Sequence, residues 1–304
     1  MKVAAAVVTY NRKHELLKNI KSILDQSYIV DKYFIIDNNS SDGTRDLLEE
    51  NKLLENDKIE YIYLNENIGG AGGFYIAVKK AYDAGYDCVC LMDDDGRPWN
   101  EKMMEELVKK AKKINEINSS FLINSLVCGD DGNTLSFGLK GGIKNKKTAK
   151  EKINKEGLIL DTINPFNGTL VSKDLITKIG FPNKDFFIKG DEQDYYNRAI
   201  KANAFIATVF DSLYYHPILE KKSIKIFGKE YFSSTESSWK EYYRARNYTY
   251  MFKMNKEHKK YIRQNLKQIL WAIKFNNKKI DTIIMIIRGF IDGLKENLGA
   301  TIKP

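Results

Sequence analysis

The chain has 304 residues, of which 43% are hydrophobic and 12% aromatic, so it can bury a large core and is not a disordered protein. No apolar run reaches the ~20 residues that span a bilayer, and Met1 leads into a strand without a basic leader, so we expect neither an integral nor a secreted protein. The three cysteines have no zinc-like spacing, which favours a reducing, cytoplasmic compartment. The net charge of +9 lies mainly in residues 253–304, whose net charge of +8 suits nucleic acid, anionic lipid or simply water.

Strand-like apolar runs alternate with helical periodicity over the first 115 residues. The predicted strands are Lys2–Tyr10, Tyr33–Ile36, Ile59–Leu64 and Cys88–Met92. Each is followed by apolar residues at helical spacing, such as Leu16 and Ile20 after the first strand. The alternation predicts an α/β fold with a mostly parallel sheet covered on both faces. The polar loops would then meet at the carboxyl edge of the sheet, where open α/β sheets bind ligands.

Three consecutive carboxylates follow the fourth predicted strand. In an extended segment Asp93 and Asp95 face the same way, and three adjacent negative charges repel one another unless solvent or a cation compensates them. Hard divalent cations such as Mg²⁺ and Mn²⁺ prefer oxygen ligands of this kind. The residues alone also allow a solvated acidic turn, because aspartate is common in turns.

A glycine-rich loop, Asn65–Phe74, follows the third predicted strand. Its glycines let the backbone approach a ligand closely, and the helix that follows offers free N–H groups to an anion. The segment is not the dinucleotide fingerprint G-x-G-x-x-G, because the third glycine would fall at Tyr75. A nicotinamide cofactor is therefore not expected.

The second half of the chain is less regular. Strand character returns in three segments, Phe121–Val127, Asn164–Val171 and Phe205–Phe210. The lysine-rich stretch Gly138–Glu156 predicts a surface loop. Asp191, Glu192 and Asp194 put three carboxylates at the start of a predicted helix, which is more than a cap needs, although a purely structural cap is an alternative.

The remaining chemical candidates are a histidine and two arginines. His216 is one of only three histidines, and a lone histidine is more often structural or exposed than a ligand. Arg244 and Arg246 lie in the aromatic and basic stretch Trp239–Phe252, which is compatible with helix packing or with an anion site. Two amphipathic helical patterns follow from Lys256 onward.

Five segments together resemble family 2 inverting glycosyltransferases with the GT-A fold. They are Val7–Arg12, Ile36–Thr44, Asn67–Phe74, Met92–Gly96 and Asp191–Asp194. Within that family the glycine-rich segment and the aspartate triplet are most similar to bacterial galactofuranosyltransferases and the related rhamnosyltransferases. The resemblance covers residues 3–220 and implies a GT-A catalytic domain at residues 1–220. A basic, amphipathic helical region would follow at residues 221–304.

The resemblance implies a site for a nucleotide-sugar donor, linked to UDP or dTDP. Its residues would be Thr9, Tyr10, Asn11 and Arg12 around the base, Asp37 at the base or ribose, Asn67, Gly69, Gly70, Gly72 and Gly73 near the sugar and phosphates, and Asp93 and Asp94. Asp93, Asp95 and His216 would hold a divalent metal, Mn²⁺ or Mg²⁺, that bridges the donor diphosphate.

The resemblance also implies a catalytic base, a carboxylate that removes the proton from the attacking acceptor hydroxyl. Its position corresponds to Glu192, where the family usually has aspartate, so Asp191 is the alternative. Asp191 and Asp194 would otherwise hold acceptor hydroxyls. Arg244 and Arg246 would add cationic contacts to phosphate, with plain surface charge as the alternative.

We therefore expect a metal-dependent inverting transferase that moves galactofuranose from UDP-galactofuranose to a growing, lipid-linked polysaccharide. The alternatives are a rhamnosyltransferase that uses dTDP-rhamnose and a non-catalytic, membrane-docked sugar-nucleotide-binding protein. The basic C-terminal helices suit peripheral contact with the cytoplasmic face of the plasma membrane, although core packing also explains their apolar residues. Nucleic acid is not an expected partner, because no nucleic-acid motif accompanies the charge. The sequence does not indicate an oligomeric state.

Overall fold

The predicted alternation of strands and helices is present in the N-terminal half of the protein. The computed structural model describes residues 1–218, 222–226, 229–233 and 236–302. The strands are β1 Val3–Thr9, β2 Lys32–Asp37, β3 Ile59–Tyr63, β4 Cys88–Asp93, β5 Arg97–Pro98, β6 Phe121–Cys128, β7 Thr134–Leu139, β8 Ile143–Asn145, β9 Leu158–Leu160, β10 Thr169–Ser172, β11 Phe205–Tyr215, β12 Lys222–Ile226 and β13 Lys229–Ser233. The helices are α1 Lys13–Leu24, α2 Thr44–Glu50, α3 Gly69–Asp83, α4 Met103–Ile117, α5 Lys146–Lys150, α6 Lys173–Ile179, α7 Asp191–Lys201, α8 Ser238–Met254, α9 His258–Phe275 and α10 Lys279–Lys295.

The central sheet has the order β3-β2-β1-β4-β10-β6-β11-β5. Strands β1 to β4 pair in parallel, and so do β6 and β11, whereas β10 is antiparallel to both β4 and β6. The mostly parallel α/β sheet predicted from the sequence is therefore confirmed. Its parallel strands end at a common edge, which carries the polar loops.

Strand β1 shows why the sheet needs helices on both faces. All seven of its residues are buried. Successive side chains point to opposite faces of the sheet, so both faces must be covered. Alternate residues Val3, Ala5 and Val7 pack in one apolar cluster with side chains of α1, and Ala4, Ala6 and Val8 pack in a second cluster with side chains of α3. A continuous apolar run in the sequence thus becomes a strand buried on both sides.

The chain forms two compact units whose boundary differs from the sequence-based division at residue 220. The first unit comprises Met1–Pro182 and Tyr195–Ile218, and the second comprises Asn183–Asp194 and Leu219–Pro304. The second unit therefore takes in a short segment from the middle of the predicted catalytic domain. The reason is local, because side chains of α8 hydrogen-bond to the backbone of residues 185–189.

The predicted surface loop Gly138–Glu156 is partly regular structure. It contains β8 and α5, and Asn145 caps α5 by accepting a hydrogen bond from the Thr148 N–H at 2.9 Å. Ile143 and Ala149 are buried and join a small apolar cluster. The lysine-rich composition indicated a loop, but a capping residue and a few buried apolar positions suffice for a short helix.

The C-terminal region of the second unit consists mainly of α8, α9 and α10, as the two amphipathic patterns after Lys256 indicated. Two glycines let α10 lie directly against α8. A Cβ atom at Gly289 would lie 2.3 Å from the Tyr242 carbonyl oxygen, and one at Gly293 would lie 2.4 Å from that of Arg246. Among the residues described, no helix is both long enough and apolar enough to cross a membrane.

Candidate active site

The aspartate triplet lies in the loop between β4 and β5, at the carboxyl edge of the sheet. Asp93 is the last residue of β4, and the loop returns through β5, which pairs with the end of β11. The buried side chain of Asn19, on α1, donates hydrogen bonds to the carbonyl oxygens of Gly96 at 2.6 Å and Asp93 at 3.4 Å. These hydrogen bonds from α1 therefore hold the loop conformation without a ligand.

Three side chains of this edge form a set that fits a divalent metal. Ligand atoms of Asp93, Asp95 and His216 all lie within 4.8 Å of one another, as the sequence reasoning expected. Two carboxylates and an imidazole are suitable ligands for Mn²⁺, and the carboxylates also suit Mg²⁺. His216 follows β11 directly, so the pairing of β5 with β11 brings it beside Asp95 although 121 positions separate the two residues.

The orientation of His216 leaves one ring nitrogen available to a metal. Its Nδ1 lies 2.8 Å from the Pro217 carbonyl oxygen, which can only accept, so Nδ1 carries the proton. The other nitrogen, Nε2, lies 3.4 Å from Asp95 Oδ1. Metal-binding histidines are commonly oriented in this way by a hydrogen bond from the nitrogen that does not bind. The ring also packs against Phe137, with centroids 4.7 Å apart.

Arg12 connects the first loop to the aspartates. Its Nη1 lies 2.6 Å from Asp95 and 3.2 Å from Asp94. Burial alone would raise the pKa of Asp95, but its hydrogen bonds and charge interactions with His216 and Arg12 lower that pKa to about 2. Burial alone would lower the pKa of His216, and the hydrogen bond and charge of Asp95 raise it instead. Asp95 is therefore a permanent anion at neutral pH.

Asp94 differs from its two neighbours because it points into the protein. Burial raises its pKa to about 6, against the lowering effect of Arg12. Its carboxylate accepts hydrogen bonds from the Thr9 hydroxyl at 2.9 Å and from the Tyr10 backbone N–H. The hydrogen bond between Thr9 and Asp94 holds the first loop against the aspartate loop. The sequence predicted a donor-binding role for both residues.

The second loop is joined to the first by short hydrogen bonds. The Asn11 backbone N–H donates to the Ser40 hydroxyl at 2.9 Å, and Asn11 Oδ1 accepts from the Ser41 N–H at 2.7 Å. Asp37, expected at the base or ribose, is fully buried and accepts from the Tyr61 hydroxyl at 2.5 Å and the Ser40 N–H at 2.7 Å. In this structure Asp37 orders the second loop. Tyr10, in the first loop, is exposed at the protein surface.

The four glycines assigned to the donor divide into two kinds. A Cβ atom at Gly73 would lie 2.4 Å from Val8 Cγ1, and one at Gly72 would lie 2.7 Å from Ile68, so these two glycines permit close packing of α3. At Gly70 an added Cβ would meet nothing within 4 Å. Gly69 has a φ of +77°, and Asn67 accepts a hydrogen bond from its N–H at 2.8 Å. Gly70 is thus the member of the set that a ligand can approach.

An open cleft of about 730 Å³ lies beside Asp95 in the first unit. Most of its lining residues were not assigned to a site from the sequence, among them Lys13, Lys18, Arg97 and Tyr215. The Arg97 guanidinium stacks on the Tyr215 ring, 4.0 Å from its centroid. The position of Arg97 two residues after the triplet was the available signal, because neighbours of a metal loop share its surface.

The three acidic residues Asp191, Glu192 and Asp194 begin α7 and belong to the second unit. The Gly190 backbone N–H donates to Glu192 Oε2 at 3.0 Å, and Gly190 has a φ of +95°. Burial raises the pKa of the Tyr248 hydroxyl, and the negative charges of Glu192 and Asp191 raise it further. Tyr248 therefore remains a neutral phenol close to these carboxylates.

The two arginines expected to bind phosphate have structural partners instead. Arg246 is fully buried, and its guanidinium donates to Asn247 Oδ1 and to the carbonyl oxygens of Gly299, Asp185 and Phe186. These contacts use the donors of the guanidinium, and the phosphate role of Arg246 stays a prediction. Arg244 donates to Glu241 at 2.9 Å and lies 3.7 Å from Glu236.

Comparison with known proteins identifies the family of the chain. The profile of glycosyl transferase family 2 matches residues 5–180, so the chain belongs to this family. Galactofuranosyltransferase GlfT1 of Mycobacterium tuberculosis is 32% identical over 220 residues, which are 71% of this chain and 70% of that protein. The dTDP-rhamnosyl transferase RfbF of Shigella flexneri is 25% identical over 257 residues, which are 83% and 80% of the two chains.

Solved structures show the same fold at low sequence identity. The mannosyltransferase PcManGT from Pyrobaculum calidifontis, solved with GDP-Man and Mn²⁺, superimposes with a TM-score of 0.57 at 12% identity, over 97% of this chain and 87% of that one. Its architecture and the order of the strands here identify the GT-A fold, as the sequence resemblance implied. The protein is a family 2 glycosyltransferase with the GT-A fold.

Proposed function

We propose that the protein transfers galactofuranose from UDP-galactofuranose to a hydroxyl group of a growing glycan, with inversion at the anomeric carbon. The observation that carries the proposal is the set Asp93, Asp95 and His216, placed at the carboxyl edge beside Arg12. The similarity to galactofuranosyltransferase GlfT1 favours this donor, and the similarity to RfbF keeps dTDP-rhamnose as the second candidate.

Asp93, Asp95 and His216 would hold the divalent metal, Mn²⁺ or Mg²⁺. When bound there, a divalent cation supplies a Lewis acid that offsets negative charge developing on the diphosphate leaving group. Arg12 favours the anionic form of Asp95, and the Pro217 carbonyl orients His216 so that its Nε2 faces Asp95. Gly70 would let the backbone approach the donor, and Tyr10, Asn11 and Arg12 would border the base.

Glu192 is the proposed catalytic base, with Asp191 as the alternative. The base takes the proton of the acceptor hydroxyl while its oxygen attacks the anomeric carbon from the face opposite the nucleotide. The hydrogen bond from the Gly190 N–H orients the Glu192 carboxylate. Asp191 and Asp194 would hold neighbouring hydroxyls of the acceptor.

The proposed acceptor is a lipid-linked polysaccharide at the cytoplasmic face of the plasma membrane. The +8 charge of residues 253–304 favours contact with anionic headgroups and is the basis for this location. A non-catalytic sugar-nucleotide-binding protein with the same fold is the distant alternative. It differs from the enzyme in showing no turnover with any donor.

The test is release of free nucleotide with UDP-galactofuranose and with dTDP-rhamnose, each with Mn²⁺ and a galactan or rhamnan oligosaccharide acceptor. We expect turnover with UDP-galactofuranose, a loss of at least about 100-fold in kcat for Glu192→Gln, and a smaller loss for Asp191→Asn. Turnover only with dTDP-rhamnose would overturn the donor assignment. Equal activity of Glu192→Gln and wild type would remove Glu192 as the base.

A further inference from the structure

Helices α9 and α10 each expose four large aliphatic side chains. On α9 these are Ile262, Leu266, Leu270 and Ile273, which are 41–55% exposed. At 100° per residue the four positions fall within about 80° of one another and form a single stripe. On α10 the corresponding residues are Ile280, Ile284, Ile287 and Ile291, which are 43–73% exposed and fall within about 60°.

The opposite face of each helix is buried, and polar or small residues occupy part of it beside the apolar Trp271 of α9 and Ile286 of α10. The buried Asn265 on α9 donates to the Thr249 hydroxyl at 2.8 Å, and the buried Gln268 donates to Glu241 at 2.8 Å. On α10 the buried face includes Gly289 and Gly293, where the helix meets the α8 backbone. A surface helix of a globular protein normally buries its apolar stripe and exposes its polar residues. In this pair some polar or small residues are buried while four large aliphatic residues on each helix are exposed.

Helices α9 and α10, which carry the two stripes, contact each other as well as α8. The rings of Tyr261 and Phe290 have centroids 5.9 Å apart. Ala272 of α9 and Ile286 of α10 are buried in one cluster, with Ala245 of α8. We call the two stripes together the outer helix face. Eight exposed aliphatic side chains on two helices that contact each other exceed the scattered apolar residues of an ordinary surface.

Exposed basic residues border the outer helix face. Lys259, Lys260, Arg263 and Lys274 are exposed on α9, and Arg288 and Lys295 are exposed on α10. Apolar side chains flanked by lysine and arginine are the pattern of helices that lie in the interface of an anionic bilayer. Long basic side chains can then reach headgroup phosphates while the aliphatic stripe enters the acyl boundary.

We propose that the outer helix face is a membrane-docking surface that inserts shallowly into an anionic lipid bilayer. The charge selects this occupant over a second copy of the chain, because two copies would bring segments of net charge +8 together. The proposal specifies which surface makes the membrane contact given under the proposed function. It rests on the proposed function only for the purpose of docking, which is access to a lipid-linked acceptor. Binding to vesicles requires neither donor nor turnover.

The first test is flotation of the full chain with vesicles of phosphatidylcholine containing 30% phosphatidylglycerol, and with pure phosphatidylcholine. The test variant carries Leu266→Ser, Leu270→Ser, Ile284→Ser and Ile287→Ser. The matched control carries Ile29→Ser, Ile117→Ser, Leu160→Ser and Ile200→Ser, which are also exposed but lie in the first unit. All eight positions are at the surface, so neither variant should lower the midpoint of thermal unfolding.

We expect wild type and control to float with anionic vesicles and the test variant to partition at least about tenfold less. Binding should weaken with added salt and in a Lys259→Gln, Lys274→Gln, Arg288→Gln variant. Absence of wild-type flotation, equal flotation of test variant and control, or equal binding to neutral vesicles would overturn the proposal. A wild-type dimer in light scattering that the test variant dissociates would assign the face to a second copy.

Nucleotide release from the donor with a soluble acceptor separates the two proposals. The test variant should turn over soluble substrates at the wild-type rate, because its four substitutions lie outside the candidate active site. If no donor is turned over but the flotation pattern holds, the proposed function fails and the docking surface stands. If turnover is normal and flotation fails, the reverse applies.

Discussion

The side-chain amide of Asn247 donates a hydrogen bond of 2.7 Å to the carbonyl oxygen of Lys189, two residues before Asp191. The same amide also donates to the carbonyl oxygens of Phe186 and Ile188, and Lys189 has a φ of +65°. A non-glycine residue in the left-handed region carries backbone strain, so this segment needs fixed partners. Asn247 is therefore a positioning residue for the turn that leads into the proposed base.

We expect Asn247→Ala to reduce kcat by at least about tenfold while the KM for the donor changes less than threefold. The substitution leaves the turn before α7 without its side-chain donor but touches none of the donor loops. It should also lower the free energy of unfolding by about 1–3 kcal/mol, because buried carbonyl groups lose their partner. Steady-state kinetics and urea unfolding measure the two effects. Asn297→Ala, at an exposed position of the same unit, is the control and should change neither.

Metal binding should depend on the Asp95 and His216 side chains. We expect Asp95→Asn and His216→Ala each to weaken Mn²⁺ binding at least about tenfold, because each removes one of three ligands. Electron paramagnetic resonance of free Mn²⁺ gives the affinity without any need for turnover. Asp57→Asn removes an exposed carboxylate elsewhere in the first unit and should leave the affinity unchanged. Wild-type affinity in both site variants would contradict the assignment.

The glycines of α3 should separate packing from ligand approach. Gly73→Ala should lower the free energy of unfolding by about 1–3 kcal/mol, because its Cβ would press on Val8. Gly70→Ala is the matched change in open space and should keep or slightly raise stability, since alanine favours a helix. If Gly70 borders the donor, the KM for the donor should rise in the Gly70→Ala variant. Equal unfolding midpoints for the two variants would refute the packing argument.

Glu236 should give the second unit a pH-dependent contribution to stability. Burial alone would raise its pKa, but the charge and hydrogen bond of Lys189, with the charges of Lys240 and Arg244, lower it below the ordinary value of 4.5. A lowered pKa means that the contribution is complete above pH 4.5 and is lost as the pH falls below it. Glu236→Gln should therefore cost about 1–3 kcal/mol at pH 7.

The difference between wild type and Glu236→Gln should be constant above pH 4.5 and should narrow as the pH falls below that value, because wild-type Glu236 then becomes neutral as well. Chemical unfolding at a series of pH values measures it. Glu230→Gln changes an exposed glutamate of the same unit and should give a small difference that does not vary with pH. A Glu236→Gln difference that is constant below pH 4.5 as well would contradict the electrostatic explanation.

The β/α units of the N-terminal half and the chemistry of the aspartate loop could be predicted from the sequence, because both depend on local pattern. The run Val3–Val8 is apolar at every position, and a strand buried on both faces has that composition. The grouping of Asp93, Asp95 and His216 required the family resemblance, since nothing local in the sequence links His216 to the aspartates. The structure supplies that link through the pairing of β5 with β11.

Roles that depend on distant backbone atoms were beyond sequence reasoning. Arg246 lies in a basic, aromatic stretch that suggests an anion site, yet its partners are carbonyl oxygens of residues about 60 positions away. Asp37 and Asp94 likewise are of a residue type that often binds ligands, but both are buried and accept hydrogen bonds from loop residues. A side chain with several hydrogen-bonding atoms gives no local sign of whether backbone or ligand satisfies them.

The two-residue strand β5 fixes more than the shape of a loop. Arg97 is paired with Tyr215 and Pro98 with Tyr214 on one side of β11, and β6 pairs with the same two residues on the other, so both ladders set the phase in which β11 delivers the next side chain, His216. A slip of one residue would turn that side chain to the other face of the sheet. Any insertion or deletion between Pro98 and the end of β11 that shifts this phase should therefore abolish the three-ligand set even if the fold survives. Tolerance to single-residue insertions along β11 would map where the phase is determined.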